Sequence, residues 1–183
     1  MEWLDARELL EDQFARSLAL DKYKSILNTV KTIDVSKDLG FQKTFNAFYR
    51  IRRNAEWRRC YYGLFECAKK DNLSFEEVIH KLHTETGNVE ASFSSKMIAT
   101  INPNKPIWDQ YVLHNLGLEL KGRTPQERVK NASMIYDQIE NWFDDYLQTD
   151  EAYENIAEFD RWFPNYTWLS PVKKIDYLLW SKR

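Results

Sequence analysis

The chain is organised around residues 89–118, VEASFSSKMIATINPNKPIWDQYVLHNLGL. This stretch predicts a helix rich in small residues, a rigid Asn-Pro-Asn-Lys-Pro connection over residues 102–106, and a second helix that opens with Trp108 and Asp109 and ends at Gly117. Each proline fixes its own φ and disfavours helical geometry at the residue before it, so the two helices cannot slide past each other. The remaining segments are predicted to form a helical scaffold around this unit.

Composition favours an all-α fold. The chain has 183 residues, 43% of them hydrophobic and 15% aromatic, which is enough apolar surface for one compact core. Glycine and proline number only five each, and no run alternates apolar with polar residues over the length of a strand. We predict a single α-helical domain over residues 1–183 with about eight or nine helices. An alternative arrangement places two helical lobes around a cleft, with residues 1–70 and 124–183 in one lobe and 71–123 in the other.

The same features restrict location and chemistry. No apolar run approaches the ~20 residues that span a bilayer, and the acidic N-terminus lacks a signal-peptide core, so a cytoplasmic protein with no membrane partner is predicted. Cys60 and Cys67 are seven residues apart, which is ~10 Å along a helix and too far for a disulfide, so both are expected as free thiols. His80 and His83 are predicted to be a surface pair. Neither a metal site nor a cofactor is predicted.

Local signals mark several helix ends. A capping box, with Ser74 as the cap, predicts a helix over residues 75–86, and a second one, with Thr124 as the cap, starts a helix of about six turns. A further helix is predicted over 150–163. The N-terminal residues 4–19 show helical spacing at the apolar positions Leu9, Leu10, Phe14, Leu18 and Leu20. The last helix is predicted to begin at Ser170 and Pro171, to bury Ile175, Leu178 and Leu179, and to expose Lys173, Lys174, Lys182 and Arg183.

Two segments of opposite charge stand out. Residues 42–70 carry eight Lys or Arg and two Glu, whereas residues 137–160 carry nine carboxylates and no Lys or Arg. The basic segment predicts phosphate contacts with DNA; pairing with the acidic segment, within one chain or between the chains of a homodimer, is the alternative. The aromatic stripes within the basic segment are predicted to be core. The candidate phosphate-binding residues are Arg50, Arg52, Arg53, Arg58 and Arg59, with Lys105 from the connection.

Asp109 is the candidate for chemistry. In the first turn of its helix, its carboxylate meets unpaired backbone N–H groups and the positive end of the helix dipole, which favour the charged form. A fixed carboxylate of this kind acts as a general base or stabilises developing positive charge. Trp108 and Tyr111 are predicted to line the adjoining pocket. The alternative is an acid that only starts the helix.

Residues 106–112, PIWDQYV, followed by Asn115-Leu116-Gly117-Leu118, resemble the segment of helix-hairpin-helix DNA glycosylases in which a proline-rich approach leads to an aspartate and a closing Leu-Gly-Leu. The endonuclease III type and the 8-oxoguanine glycosylases belong to that superfamily. In this chain residues 90–95 replace the glycine-rich hairpin of the family, and no four-cysteine iron–sulfur loop is present.

The resemblance implies a base-excision glycosylase or lyase that extrudes a damaged nucleotide from DNA. It implies that Asp109 assists excision and that Lys96, thirteen residues earlier, is the amine nucleophile that forms a Schiff base. Ser94 or Ser95 is the alternative occupant of the lysine position, and Lys96 is then a solvent-facing lysine. The alternative function is a non-enzymatic helical adaptor that dimerises through its charged segments.

Overall fold

A computed structural model describes residues 4–11 and 17–182, with the backbone alone for residues 11 and 17–19. The described residues form ten α-helices and one short 3₁₀ helix, and no strand is found among them, which confirms the predicted all-α class. The helices are α1 (Ala6–Glu11), α2 (Ser17–Val30), α3 (Leu39–Tyr49), α4 (Ala55–Asp71), α5 (Phe75–Thr86), α6 (Ala91–Ile101), α7 (Gln110–Leu116), α8 (Pro125–Tyr146), α9 (Asp150–Trp162) and α10 (Pro171–Ser181); the 3₁₀ helix is Pro164–Tyr166.

Side-chain caps set most of these boundaries. Ser74 and Thr124 each accept a backbone N–H from a glutamate three residues on, whose carboxylate accepts the N–H of the cap in return, so both predicted capping boxes are confirmed. Ser170 caps α10, as its sequence predicts. Gly87 and Gly117 end α5 and α7 with φ of 72° and 66°, a conformation that glycine adopts without strain.

One continuous apolar core runs through the molecule. The predicted second lobe does not form a core of its own, because α5 packs on α4 and α8, α6 packs on α2 and α4, and α7 packs on α10. Phe45 is fully buried, and its ring lies 5.4 to 6.2 Å from those of Tyr61, Tyr62 and Phe65. The aromatic stripe of α4 is therefore core, as predicted.

Within the part of the chain that the structure describes, no helix is long and apolar enough to cross a membrane. The first half of the helix predicted over residues 4–19 corresponds to α1, which covers Ala6–Glu11. Phe14 lies outside the described residues, as does Arg183 at the end of the chain.

The prediction that Lys173 and Lys174 face solvent is wrong. Both residues of α10 are buried, with 5% and 4% of their surface exposed. Lys174 pairs with Asp160 at 2.6 Å and Lys173 pairs with Asp176 at 2.7 Å. A lysine can be buried when a carboxylate and a backbone carbonyl accept its protons. The carbonyls of Lys105 and Thr167 and the carboxylate of Asp160 come from outside α10.

Candidate active site

Lys96 lies on α6 with its amine among aromatic rings. Its Nζ is 5.2 Å from the ring centre of Phe93 and 5.7 Å from that of Tyr49, which α3 contributes. The amine donates a hydrogen bond to the Ser92 hydroxyl at 3.0 Å. The side chain is half-buried, and this loss of water lowers the pKa of Lys96 below its ordinary value. A desolvated amine of this kind is a better nucleophile at neutral pH than a surface lysine.

Asp109 is the acid that acts on this amine. Its charge raises the pKa of Lys96 and so partly opposes the effect of burial, without a direct ion pair between the two side chains. Asp109 is the N-cap of α7 and not part of its first turn, which corrects the predicted position by one residue. Its backbone is extended, and its carboxylate accepts the N–H of Tyr111 at 2.9 Å. The residue is half-buried, and the oxygen that caps α7 is Oδ1.

The connection between α6 and α7 is held at successive backbone groups. Ser170 donates to the carbonyl of Pro103, Lys173 to that of Lys105, and Tyr136 to that of Pro106, at 2.6 to 2.9 Å. The next two backbone N–H groups are also bound: that of Ile107 donates to the Asp176 carboxylate at 3.2 Å, and that of Trp108 to the Ser95 hydroxyl at 2.9 Å. The prolines restrict φ, and these contacts from α6, α8 and α10 fix where the connection lies.

Arg53 brings the basic segment to the lysine helix. Its guanidinium pairs with Glu90, the N-cap of α6, at 2.8 Å, and lies 5.5 Å from the ring centre of Phe93. Phe93 therefore has the Lys96 amine and the Arg53 guanidinium both within 6 Å of its ring centre. Glu90 is buried and also accepts the indole N–H of Trp57 at 3.1 Å. We call this arrangement of Arg53, Glu90, Trp57 and Phe93 the basic corner.

The other predicted phosphate-binding residues lie at varying distances from this corner. Arg50 ends α3 in a left-handed conformation, with φ of 54°, and Arg50 and Arg52 are both exposed. Arg58 is half-buried and donates to the backbone of Asn54, whereas Arg59 is exposed and lines a groove between α4 and α5. Arg50 and Arg52 thus lie three residues and one residue before Arg53 in the chain, whereas Arg59 lines the groove between α4 and α5.

Lys105 and Trp108 have internal partners. Lys105 pairs with Glu140 of α8 at 2.7 Å. Trp108 is only 5% exposed and stacks on Phe75, whose ring is parallel to that of Tyr136 at 3.9 Å. Trp108 is therefore core, which departs from the predicted pocket. The other predicted pocket residue, Tyr111, is half-buried on α7.

The acidic segment, residues 137–160, is not paired with the basic segment, residues 42–70, among the residues that the structure describes. Its ion-paired carboxylates bind cations from elsewhere: Glu140 with Lys105, Glu158 with Arg7 and Arg161, and Asp160 with Lys174. The exposed carboxylates without an ion pair in the described chain are Asp137, Asp144, Asp145, Asp150 and Glu154. The predicted pairing of the two segments within one chain does not occur there.

Two open grooves occupy other faces. A groove of about 390 Å³ between α4 and α5 is lined by the free thiols Cys60 and Cys67. A second groove, of about 340 Å³, lies where α5 begins, beside Lys105 and Glu140. Neither includes Lys96 or Asp109. In the described chain, no group of three or more His, Cys, Asp or Glu residues could hold a metal ion.

Sequence reasoning missed the residues that support the two candidates. Tyr49, Lys173 and Asp176 contact the segment that carries Lys96 and Asp109, and Glu90 joins that segment to Arg53 and Trp57, yet none of the four has a distinguishing motif. A lysine and an aspartate three apart at positions 173 and 176 were the only signal, and that spacing is common on exposed helices.

Comparison with protein-family models, with curated proteins and with solved structures finds no match for this chain.

Proposed function

We propose that this protein is a DNA base-excision enzyme of the glycosylase or lyase type, in which Lys96 is the amine nucleophile and Asp109 its acidic partner. The single observation that carries the proposal is the Lys96 amine itself. It is half-buried among aromatic rings, has a lowered pKa and lies within the field of a capped carboxylate. Groups with such perturbed pKa values concentrate at sites of chemistry.

The reaction follows from the chemistry of an amine beside a carboxylate. The unprotonated Nζ of Lys96 attacks C1′ of the ring-opened aldehyde of an abasic sugar, forming a C–N bond. The carbonyl oxygen takes up protons and leaves as water, which produces an imine. Asp109 accepts the proton that the amine loses and stabilises the positive charge of the protonated imine. On an intact nucleotide the amine would instead displace the base: Nζ bonds to C1′, the glycosidic C1′–N bond breaks, and the base leaves with the bonding electrons and takes up a proton.

Nucleic acid is the substrate class that suits the surroundings of the amine. Arg50 and Arg52 are exposed and precede Arg53 in the chain by three residues and one residue, and Arg53 lies over the same Phe93 ring as Lys96. Cations there would bind backbone phosphates, while the damaged nucleotide turns out of the helix towards the amine. We expect the affinity for DNA to fall as salt is added. A plot of the logarithm of the binding constant against the logarithm of the salt concentration should have a slope of about −0.9 per phosphate neutralised.

The test is chemical trapping. The purified protein is incubated with a duplex that contains one abasic site, and borohydride is added to reduce any imine to a stable secondary amine. We expect a covalent adduct that is absent with an undamaged duplex and lost in Lys96→Ala. Lys130→Ala, which removes an exposed lysine of α8, is the matched control and should retain the adduct. Failure of the wild type to trap, or an unchanged adduct in Lys96→Ala, would overturn the proposal.

Two further variants separate binding from chemistry. Asp109→Asn should keep the fold and the affinity for DNA but slow trapping, because it removes the acid and retains an oxygen that can cap α7. Arg52→Ala should still form the trapped imine, but it should bind DNA of every sequence more weakly. Its plot of log binding constant against log salt concentration should be less steep by about 1.

The second candidate function is a helical adaptor that self-associates. The observation in its favour is that the exposed carboxylates of the acidic segment have no ion pair in the described chain, and neither have Arg50 and Arg52. Charges unpaired within a chain are free to pair between chains. This adaptor would show no affinity for DNA, and light scattering would find a dimer that dissociates as added salt screens the charges. A monomer at every salt concentration would exclude it.

A further inference from the structure

The buried pair Lys173 and Asp176 calls for an explanation beyond stability. Their side chains are only 4% and 8% exposed, and Nζ and Oδ2 are 2.7 Å apart on neighbouring turns of α10. Removing two charges from water is costly, and buried ion pairs can often be replaced by apolar residues without loss of stability. A hydrophobic pair would therefore serve α10 as well, if packing were its only role.

Each residue also binds the backbone of the segment between α6 and α7, on one side or the other of Pro106. Lys173 donates to the carbonyl of Lys105 at 2.7 Å, and both carboxylate oxygens of Asp176 accept the N–H of Ile107, at 3.2 and 3.3 Å. Pro106 lies between these two anchors and has no N–H of its own to contribute. The ion pair thus clamps the backbone on each side of Pro106.

This clamp lies directly upstream of the proposed acid. Ile107 is two residues before Asp109, and the intervening Trp108 donates its N–H to Ser95, the neighbour of Lys96 on α6. A displacement of residues 105–107 would therefore move the carboxylate relative to the amine. We infer that Lys173 and Asp176 are positioning residues that set where the Asp109 carboxylate lies with respect to the Lys96 amine, an inference that rests on the proposed function.

The direct readout is the pKa of Lys96, measured from its ¹³Cε and ¹⁵Nζ chemical shifts across a pH series. Three residues lie against the amine: Ser92 and Phe93 of its own helix, and Tyr49 of α3. Asp109 is the acid that raises the pKa of Lys96. The pKa of Lys96 should therefore fall in Asp109→Asn. The size of that fall shows how far the pKa drops when the charge of Asp109 is removed completely.

The test variant is Lys173→Met combined with Asp176→Leu, which removes both anchors and leaves no unpaired buried charge. We expect a folded protein in which the pKa of Lys96 falls towards the value in Asp109→Asn. The matched control is Lys174→Met with Asp160→Asn, since Lys174 is an equally buried lysine of α10 but binds Asp160 and the carbonyl of Thr167. That control should leave the pKa of Lys96 unchanged.

Trapping provides the second readout. The rate of imine trapping should fall ~10- to 100-fold in the Lys173 and Asp176 double variant, because a displacement of about 1 Å at a reacting group can cost that much. A folded double variant with the wild-type pKa of Lys96 would overturn the positioning role, whatever the trapping result. A wild type that traps no imine would overturn the proposed function, while the titration would still decide the positioning role. If the double variant does not fold, Asp176→Asn alone takes its place in the same titration.

Discussion

Glu90 supports the basic corner, and its removal gives a prediction whose magnitude follows from its contacts. The carboxylate accepts from the Arg53 guanidinium at 2.8 and 2.9 Å and from the indole N–H of Trp57 at 3.1 Å. In Glu90→Ala the buried indole N–H loses its acceptor, which costs about 1 to 3 kcal/mol. Arg53 is 40% exposed and regains water, so the lost ion pair adds only about 0.5 kcal/mol.

The expected result is a free energy of unfolding lower by about 1.5 to 3.5 kcal/mol, which sums these two costs. For a chain of this length, that corresponds to a fall in Tm of roughly 3 to 14 °C. Urea denaturation followed by tryptophan fluorescence measures the first quantity, and calorimetry measures the second.

Glu90→Gln is the matched control for this prediction. The amide oxygen can still accept the indole N–H of Trp57, so only the ion pair with Arg53 is lost and the cost should be about 0.5 kcal/mol. If Glu90→Ala unfolds within 0.5 kcal/mol of the wild type, or if Gln is as damaging as Ala, the account of the basic corner is wrong.

Three further predictions concern single side chains. Tyr136→Phe leaves the buried carbonyl of Pro106 without its donor and should lower the free energy of unfolding by about 1 to 3 kcal/mol in urea denaturation; no change would show that the carbonyl finds another donor. Lys96→Met should be more stable than the wild type at neutral pH. Burial lowers the pKa of Lys96 in the folded state, so the unfolded chain holds the proton of this amine more tightly than the folded chain does. The free energy of unfolding of the wild type should therefore rise as pH rises towards 10.5. The advantage of the variant should therefore shrink over that range, and a constant difference would contradict the shift. Cys67 is exposed and Cys60 half-buried, so a thiol reagent should modify Cys67 first; equal rates would contradict their placement.

The sequence could predict what neighbouring residues decide. The caps of α5, α8 and α10 each depend on a side chain and a backbone N–H within three residues, so their starts at Ser74, Thr124 and Ser170 could be read from the sequence alone. The aromatic stripe of α4 follows from helical spacing in the same way. One residue separates the predicted from the observed position of Asp109, since a cap and a first-turn acid look alike in sequence.

What depends on distant partners could not be predicted. Lys173 and Lys174 read as solvent-facing lysines because their buried partners include residues 105, 160 and 167, which only the tertiary fold brings close. The half-burial of Lys96 similarly depends on Tyr49, a residue of another helix. Local pattern carries no signal for either arrangement.

The most direct test of the account is to identify the residue that carries the trapped adduct. The protein is reduced with borohydride on an abasic duplex, digested, and its peptides are sequenced by mass spectrometry. We predict that the adduct is on Lys96 and that it forms more slowly in Asp109→Asn. An adduct on an exposed lysine such as Lys130, or none at all, would contradict the assignment of Lys96 as the nucleophile.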